Sequence, residues 1–480
     1  MADLDQTLAV TLKGYAWLPD LRRRSGTGPV RTRVLGQPAV GICGSEAARF
    51  FYEPGHLERH SALPGLVVRT LFGRGAVHTL DGAAHRHRKA LFTALLLDGD
   101  GAERLAELAG QEFDVAAARW RGGPPVRLLD ESAQVIAAAV ARWVGVPADD
   151  RDVEVLARDC LAMVDGFATV GPRTTHALLA RARQEKRLST TIAAVRDKTV
   201  STPAAHDRTT RADQVARSPL SIVANHRDDG ELLDPRTAAV ELLNIIRPAI
   251  AVAWFVAFAG HAMDMWPRHQ SRLRAGDDEY ARAFAHEVRR FYPFAPFLGG
   301  RATRDLFFRG EPIPAGTLVL LDVYGQNHDP ALWPEPYVFD PGRFVDREIG
   351  EFDLIPQGGG DPRSGHRCPG EKVTVALLGT LAKRLADLDH YLPPQDTTID
   401  LSRIPARPRD GITLVVPEDR PAEKAPAEKA ATEAPADEAT TESAPADEAA
   451  TESAPAANTP GARRVKTALS ASRSPASGRS

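Results

Sequence analysis

The chain has 480 residues, enough for one large domain with an appendage or for several small ones, and a net charge of -3. That balance gives no ground for a nucleic-acid partner or for electrostatic docking to a membrane surface. Three cysteines, Cys43, Cys160 and Cys368, show neither metal-type spacing nor a disulfide framework, which suits a reducing compartment.

The first residues carry acids where a secretory leader carries bases, and no long apolar core follows, so a soluble, cytoplasmic protein is expected. Short strands are predicted at Val30–Leu35 and Pro38–Ile42. Arg59 follows, then the loop from Leu71 to Gly82, which holds Phe72 and His78. The segment Ala84-His85-Arg86-His87-Arg88-Lys89 starts a basic helix on which His85 and Lys89, four apart, share a face. Apolar residues three and four apart predict helices over Ala102–Trp120, Asp130–Val144, Thr174–Thr199 and Pro235–Met265. Within the last of these, Arg247-Pro248 interrupts an otherwise apolar run, Ala238–Gly260. Proline there removes a helical hydrogen bond and kinks the axis. Arg247 could also belong to a polar edge with Glu241 and Asn244. The longest apolar run, Pro248 to Gly260, falls short of the roughly 20 residues of a spanning helix, so no membrane span is expected.

Further on, Glu287 and Arg290 are three apart and share a helix face. Strands are predicted at Leu318–Leu321 and Gly411–Val416. After Pro417 the composition changes to Pro-, Ala- and Glu-rich repeats with a basic end from Arg463. Such a segment cannot bury enough apolar surface to offset its ordering entropy. The expected organisation is one helix-rich unit, residues 1–417, and a disordered tail, residues 418–480. The tail is either an acidic spacer with a basic docking tip or a solubilising extension.

The most informative stretch is Phe352 to Gly360, which continues into Gly365-His366-Arg367-Cys368-Pro369-Gly370-Glu371 and an apolar, helix-like run, Val373–Leu388. Proline at a first helical position is a normal helix start. A thiolate placed there meets backbone N–H groups and the positive end of the helix dipole, which lower its pKa. Glycines let the backbone approach a flat macrocycle. Those are the needs of an axial haem thiolate; the alternative is a buried structural thiol. The loop resembles the cysteine-ligand loop of the cytochrome P450 superfamily. In detail it is similar to the bacterial fatty-acid peroxygenase branch, hydroxylases and decarboxylases that run on hydrogen peroxide. Asp361 and His366 stand where the superfamily consensus has Phe and Arg, as in that branch.

The resemblance covers about residues 5 to 417 and implies a mainly α fold with a small β-rich corner. It implies haem b (iron protoporphyrin IX), with Cys368 as metal ligand and with Arg59, His85 and Lys89 at the propionates. Glu287, Arg290 and Arg343, the last in Phe339-Asp340-Pro341-Gly342-Arg343-Phe344, would form a structural charge group. Arg247-Pro248 would lie on the distal helix, where ordinary monooxygenases carry an acid followed by Thr; this chain has neither. Arg247 would hold a fatty-acid carboxylate, which then serves as acid and base toward hydrogen peroxide. Oxidation would fall at Cα and Cβ because the carboxyl end is fixed. Phe72 and His78 would face the substrate. Histidine at that place is associated with olefin-forming decarboxylation, where several other members carry Gln. Phe294, with Pro296 and Phe297, would line an apolar channel. No redox partner is required on this reading, and the sequence specifies no oligomeric state. The alternatives are a dioxygen-dependent monooxygenase fed by a ferredoxin and a non-catalytic haem-binding sensor.

Overall fold

Apolar residues at three-to-four spacing do fold as helices. The segments expected at Ala102–Trp120, Asp130–Val144 and Thr174–Thr199 form the helices Gly101–Trp120, Leu128–Val144 and Pro172–Ser201, joined by Asp150–Asp165. The computed structural model describes residues 4–26, 28–167, 169–201 and 218–418, so the expected tail, apart from Glu418, lies outside the described residues. The chain divides into the units Met1–Pro421 and Ala422–Ser480; the first is described here.

These helices pack around a central pair, Pro235–Ile250 and Val252–Met265, in one large apolar core. From Ala238 to Met263 every residue except Pro248 is buried. The 31 residues Pro235–Met265 are long and apolar enough to cross a membrane, beyond the shorter run marked in the sequence. Their most apolar window, however, is 94% buried within the protein. They form a core helix, covered by neighbouring helices in place of lipid. Pro248 has no N–H, so the Asn244 carbonyl loses its helical donor. The ladder continues through Ala251 N–H to Arg247 O at 2.9 Å, then tightens where Trp254 N–H meets Ala251 O at 3.1 Å. The break therefore falls at Ala251, three residues after the proline.

The β-rich corner is a five-stranded sheet. Val30–Val34 runs antiparallel to Gln37–Ile42, which pairs in parallel with Leu318–Asp322. Phe297–Ala302 pairs antiparallel with Leu318–Asp322 on one side and with the edge strand Leu57–Glu58 on the other. Phe297–Ala302 was not predicted, because Gly299-Gly300 weakens the strand signal. Its close neighbour explains Gly300, where a Cβ would press within 3.0 Å of Leu57. The expected strand Gly411–Val416 shrinks to Thr413–Leu414, paired with Val126–Arg127. The C-terminal helix runs over Glu371–Asp387 with Gly370 as its N-cap. Pro369 thus lies just outside the helix, not at its first position.

Candidate active site

Cys368 is held by its own loop. Its N–H donates to Gln357 O at 3.0 Å, and the Gln357 side chain turns back so that Nε2 lies 3.7 Å from the sulfur. That amide also donates to Thr374 Oγ1 at 3.1 Å and accepts from Arg289 Nε at 3.0 Å, so its orientation is fixed. The protein alone does not lower the thiol's pKa as the sequence suggested. Burial raises it, and the Gly370 N–H, Lys89 and Gln357 oppose that without winning. Full deprotonation is what a bound metal ion's charge supplies.

Three basic side chains, Arg59, His85 and Lys89, gather beside this loop. Arg59 follows the edge strand Leu57–Glu58, and its Nη1 donates to Gly299 O in the adjacent strand at 2.6 Å. Helix Gly82–Leu96 presents His85 and Lys89 on one face. Lys89 Nζ donates to Gly365 O at 2.8 Å and Arg367 O at 2.7 Å. Burial pushes Lys89 down to about 8, partly offset by Cys368. His85 stacks on His366 at 3.9 Å, and burial pushes it down to about 3, leaving it neutral. Asp81 anchors the group: it accepts from Arg59 N–H at 2.9 Å and His60 N–H at 2.9 Å and lies 3.3 Å from His366 Nε2. Burial works against its charge, but these hydrogen bonds hold its carboxyl below the ordinary range.

On the other side stands Arg247, 6% exposed. Its Nε has no hydrogen-bond partner, and among the described residues no carboxylate pairs with it. Burial pushes the guanidinium down to about 9, with Arg181 acting in the same direction and Cys160 and Cys368 opposing. Its Cζ lies 6.0 Å from the Phe72 ring, which stacks on His78 at 4.3 Å. His78 Nδ1 is buried without a partner. Burial first, then Arg247, Lys89, His366 and Arg181, hold His78 well below its ordinary pKa. His78 therefore feels both Arg247 and the Lys89–His366 group. It lies deep in the molecule yet is only half-buried by surface, as is Pro248 in an otherwise sealed helix. Surface at that depth borders an internal space.

Several residues that fix this wall were not read from the sequence. Val68–Phe72 forms a π-helical turn closed by Gly73 N–H on Val68 O at 2.6 Å. Gly73 has φ +89°, and a side chain there would collide with Arg181 and Val240. Arg181 donates to Leu71 O at 2.6 Å and Phe72 O at 2.7 Å and pairs with Glu185 at 2.7 Å. Glu241 does not join Arg247 in a polar edge. It accepts from Val77 N–H at 2.8 Å and from Arg88 at 2.7 Å. Asn244 donates to Phe72 O at 2.8 Å. Phe294 lies apart from this group, against Phe255 at 5.1 Å, and Phe297 packs on Trp17 in the sheet corner. Glu287 and Arg290 form a fully buried pair at 2.7 Å, with Arg343 Nε 3.7 Å from Glu287, beside residues 336–340.

These groups fit a haem. A sulfur with amide donors suits an anionic axial ligand. Basic side chains that outnumber their one carboxylate suit propionates, and the internal space in front of His78 and Pro248 leaves room on the opposite face. The comparisons agree. The family model for cytochrome P450 matches residues 277–396. Ligand-free cytochrome P450 OleT is 37% identical with a TM-score of 0.80, covering 86% of this chain and 96% of that one. An OleT variant in complex with arachidonic acid gives 36% and the same TM-score and coverage. Cytochrome P450SP alpha in complex with (R)-ibuprophen is 34% identical with a TM-score of 0.79, covering 86% and 98%. Among curated relatives, cytochrome P450 71A8 of Mentha piperita is 35% identical over 29% of this chain; the match spans about a quarter of that relative, 27%. The chain belongs to the cytochrome P450 family of haem-thiolate oxidoreductases. The solved structures that cover 86% of this chain belong to the fatty-acid peroxygenase branch that the cysteine loop pointed to.

Proposed function

We propose that the unit formed by residues 1–417 is a cytoplasmic peroxygenase that oxidises fatty acids at Cα and Cβ with hydrogen peroxide. A fatty acid and peroxide give a hydroxy acid and water. In the competing outcome they give a terminal alkene, carbon dioxide and two waters. The observation that carries this reading is Arg247, a buried cation with no carboxylate of its own among the described residues. A buried charge is costly unless paired, and a substrate carboxylate is the partner that completes it. Both solved relatives above are recorded with carboxylic acids bound.

Haem b, held through Cys368 with Arg59, His85 and Lys89 toward its propionates, supplies thiolate-assisted peroxide chemistry when bound. The residues of this chain do the rest. Arg247 offers its guanidinium to the carboxylate and so places Cα and Cβ, not the far end of the chain, toward the reacting face. Pro248 opens the helix wall there. The anchored carboxylate takes a proton from hydrogen peroxide and returns it during O–O cleavage. His78, neutral and with Nδ1 unpartnered, can hold a proton at that atom or orient the acid. Phe72 and, farther off, Phe294 form apolar walls.

A ferredoxin would have to reach the thiolate side, where a cavity of about 980 Å³ is lined by Cys368, Lys372, Lys383 and Arg384. Those cations are already paired: Lys372 with Glu103 at 2.8 Å, Lys383 with Asp278 at 2.5 Å and Arg384 with Asp114 at 3.1 Å. The test is turnover of purified haem protein with fatty acid and hydrogen peroxide, without any reductase. Oxidised acids are expected; turnover only with ferredoxin and reductase would favour the monooxygenase, and none under either condition the sensor.

A further inference from the structure

Among the described residues, one cluster of metal-ligating side chains lies outside this site. His87 sits on the outer face of helix Gly82–Leu96, and His226 and Asp228 sit at the hairpin Arg227–Asp228/Glu231–Leu232 that leads into helix Pro235–Ile250. We propose that His87 Nε2, His226 Nε2 and Asp228 Oδ1 bind one zinc ion, which staples this hairpin onto the helix that carries His85 and Lys89.

The spacing supports a metal. Zinc binds imidazole nitrogen and carboxylate oxygen at about 2.0–2.1 Å in tetrahedral geometry, which sets neighbouring donors about 3.3 Å apart. His226 Nε2 and Asp228 Oδ1 are 3.2 Å apart, and His87 Nε2 and the same oxygen are 3.6 Å apart. All three donor atoms lie within 4.8 Å of one another. His226 Nε2 is buried, and Asp228 Oδ1 is the polar atom against it. His87 Nε2 donates to Arg227 O at 2.8 Å; zinc binding requires that this bond open and the proton move to Nδ1.

The charges fit as well. Arg88 is the one guanidinium between two carboxylates. It reaches Asp228 through Nε at 3.0 Å to Oδ2 and 3.3 Å to Oδ1, and Glu241 through Nη1 at 2.7 Å. The surplus of negative charge leaves Oδ1 a favourable place for a cation. Imidazole ligands with a single carboxylate in tetrahedral spacing favour zinc over magnesium or calcium, which take oxygen sets. A fourth position stays open to water. The site also connects to the cavity wall. Asp228 holds Arg88, Arg88 holds Glu241, and Glu241 holds the N–H of Val77 beside His78.

The test uses untagged, full-length holoenzyme stripped with a chelator and titrated with zinc against a competing indicator. One zinc per chain is expected, bound at least tenfold more weakly in His87→Ala and in His226→Ala. Zinc-edge X-ray absorption should show nitrogen and oxygen neighbours only. Zinc should raise the melting temperature of the wild type and of neither variant. Unchanged haem absorbance in the variants shows that they fold, and the exposed His87 also permits His87→Gln as a second version. Absence of stoichiometric zinc, equal affinity in the variants, or sulfur among the zinc neighbours would overturn the proposal.

Discussion

Replacing Arg247 by Met keeps most of the side-chain volume and removes the charge. Burial pushes this guanidinium down to about 9 from its ordinary 12.5. At about 1.4 kcal/mol per pH unit, keeping it charged costs the substrate-free protein on the order of 5 kcal/mol, an upper figure because the wall relaxes. The variant should therefore melt higher than the wild type in the absence of substrate. Binding should move the opposite way. Loss of one partner of a desolvated charge pair costs about 2–5 kcal/mol, which weakens fatty-acid binding by about thirtyfold to several thousandfold. Peroxide-driven turnover should fall with it, since the same carboxylate carries the proton. Fatty-acid titrations followed by haem absorbance, with melting curves on the same preparations, read both effects. An Arg247→Met protein that binds fatty acids within about threefold of wild type would refute the placement of the carboxylate. One that melts lower would refute the strain.

Glu287→Gln leaves Arg290 buried without its counter-charge and should cost about 3–5 kcal/mol in denaturant unfolding; a loss under 1 kcal/mol would mean the carbonyls around Arg290 suffice. Gln357→Leu removes the side-chain donor to Cys368, so the sulfur should push more electron density to iron and the reduction potential should become more negative. An unchanged potential would show that the 3.7 Å contact carries no effect. Burial holds His261 and His328 down to about 4 in the folded protein. Unfolded, both take up protons below about 6.5, so the unfolded state binds more protons and stability falls as pH drops from about 6.5 toward 4. The slope is up to about 1.4 kcal/mol per pH unit for each. Asp322, raised by burial to about 6, works the other way between its unfolded value and pH 6. Denaturant midpoints that stay flat from pH 7 to 5 would contradict this balance.

Much of the site was legible because single residues broke a local pattern. Arg247-Pro248 is a cation and a helix breaker in an apolar run, and Cys368 ends a glycine-rich loop. The structure brings Arg247, His78 and Phe72 together on one side, and Cys368, Lys89, His85 and Arg59 on the other. The supports were not legible. Arg181 reaches Leu71 and Phe72 across 110 and 109 residues, and Arg88 reaches Glu241 across 153. Pairings at such separations leave no periodic trace in a single chain. Glu241 did show as an acid in a buried helix, but the neighbour offered for it on its own helix, Arg247, is not the partner it takes, Arg88. The Gln357 side chain turned toward sulfur is a matter of rotamer, invisible beside the glycines that surround it.

Each wall of the cavity joins residues that lie far apart in the coding order. Arg59, His78, His85 and Lys89 belong to the first fifth of the chain, Arg247 to its middle, and Cys368 follows Arg59 by more than three hundred residues. A nascent chain cannot assemble the proposed haem site until the Cys368 loop has left the ribosome. Capture of the cofactor then waits on both regions of the chain. The amount of mature protein in a cell becomes tied to haem supply by mass action, since a ligand that binds only the completed fold draws the equilibrium toward it.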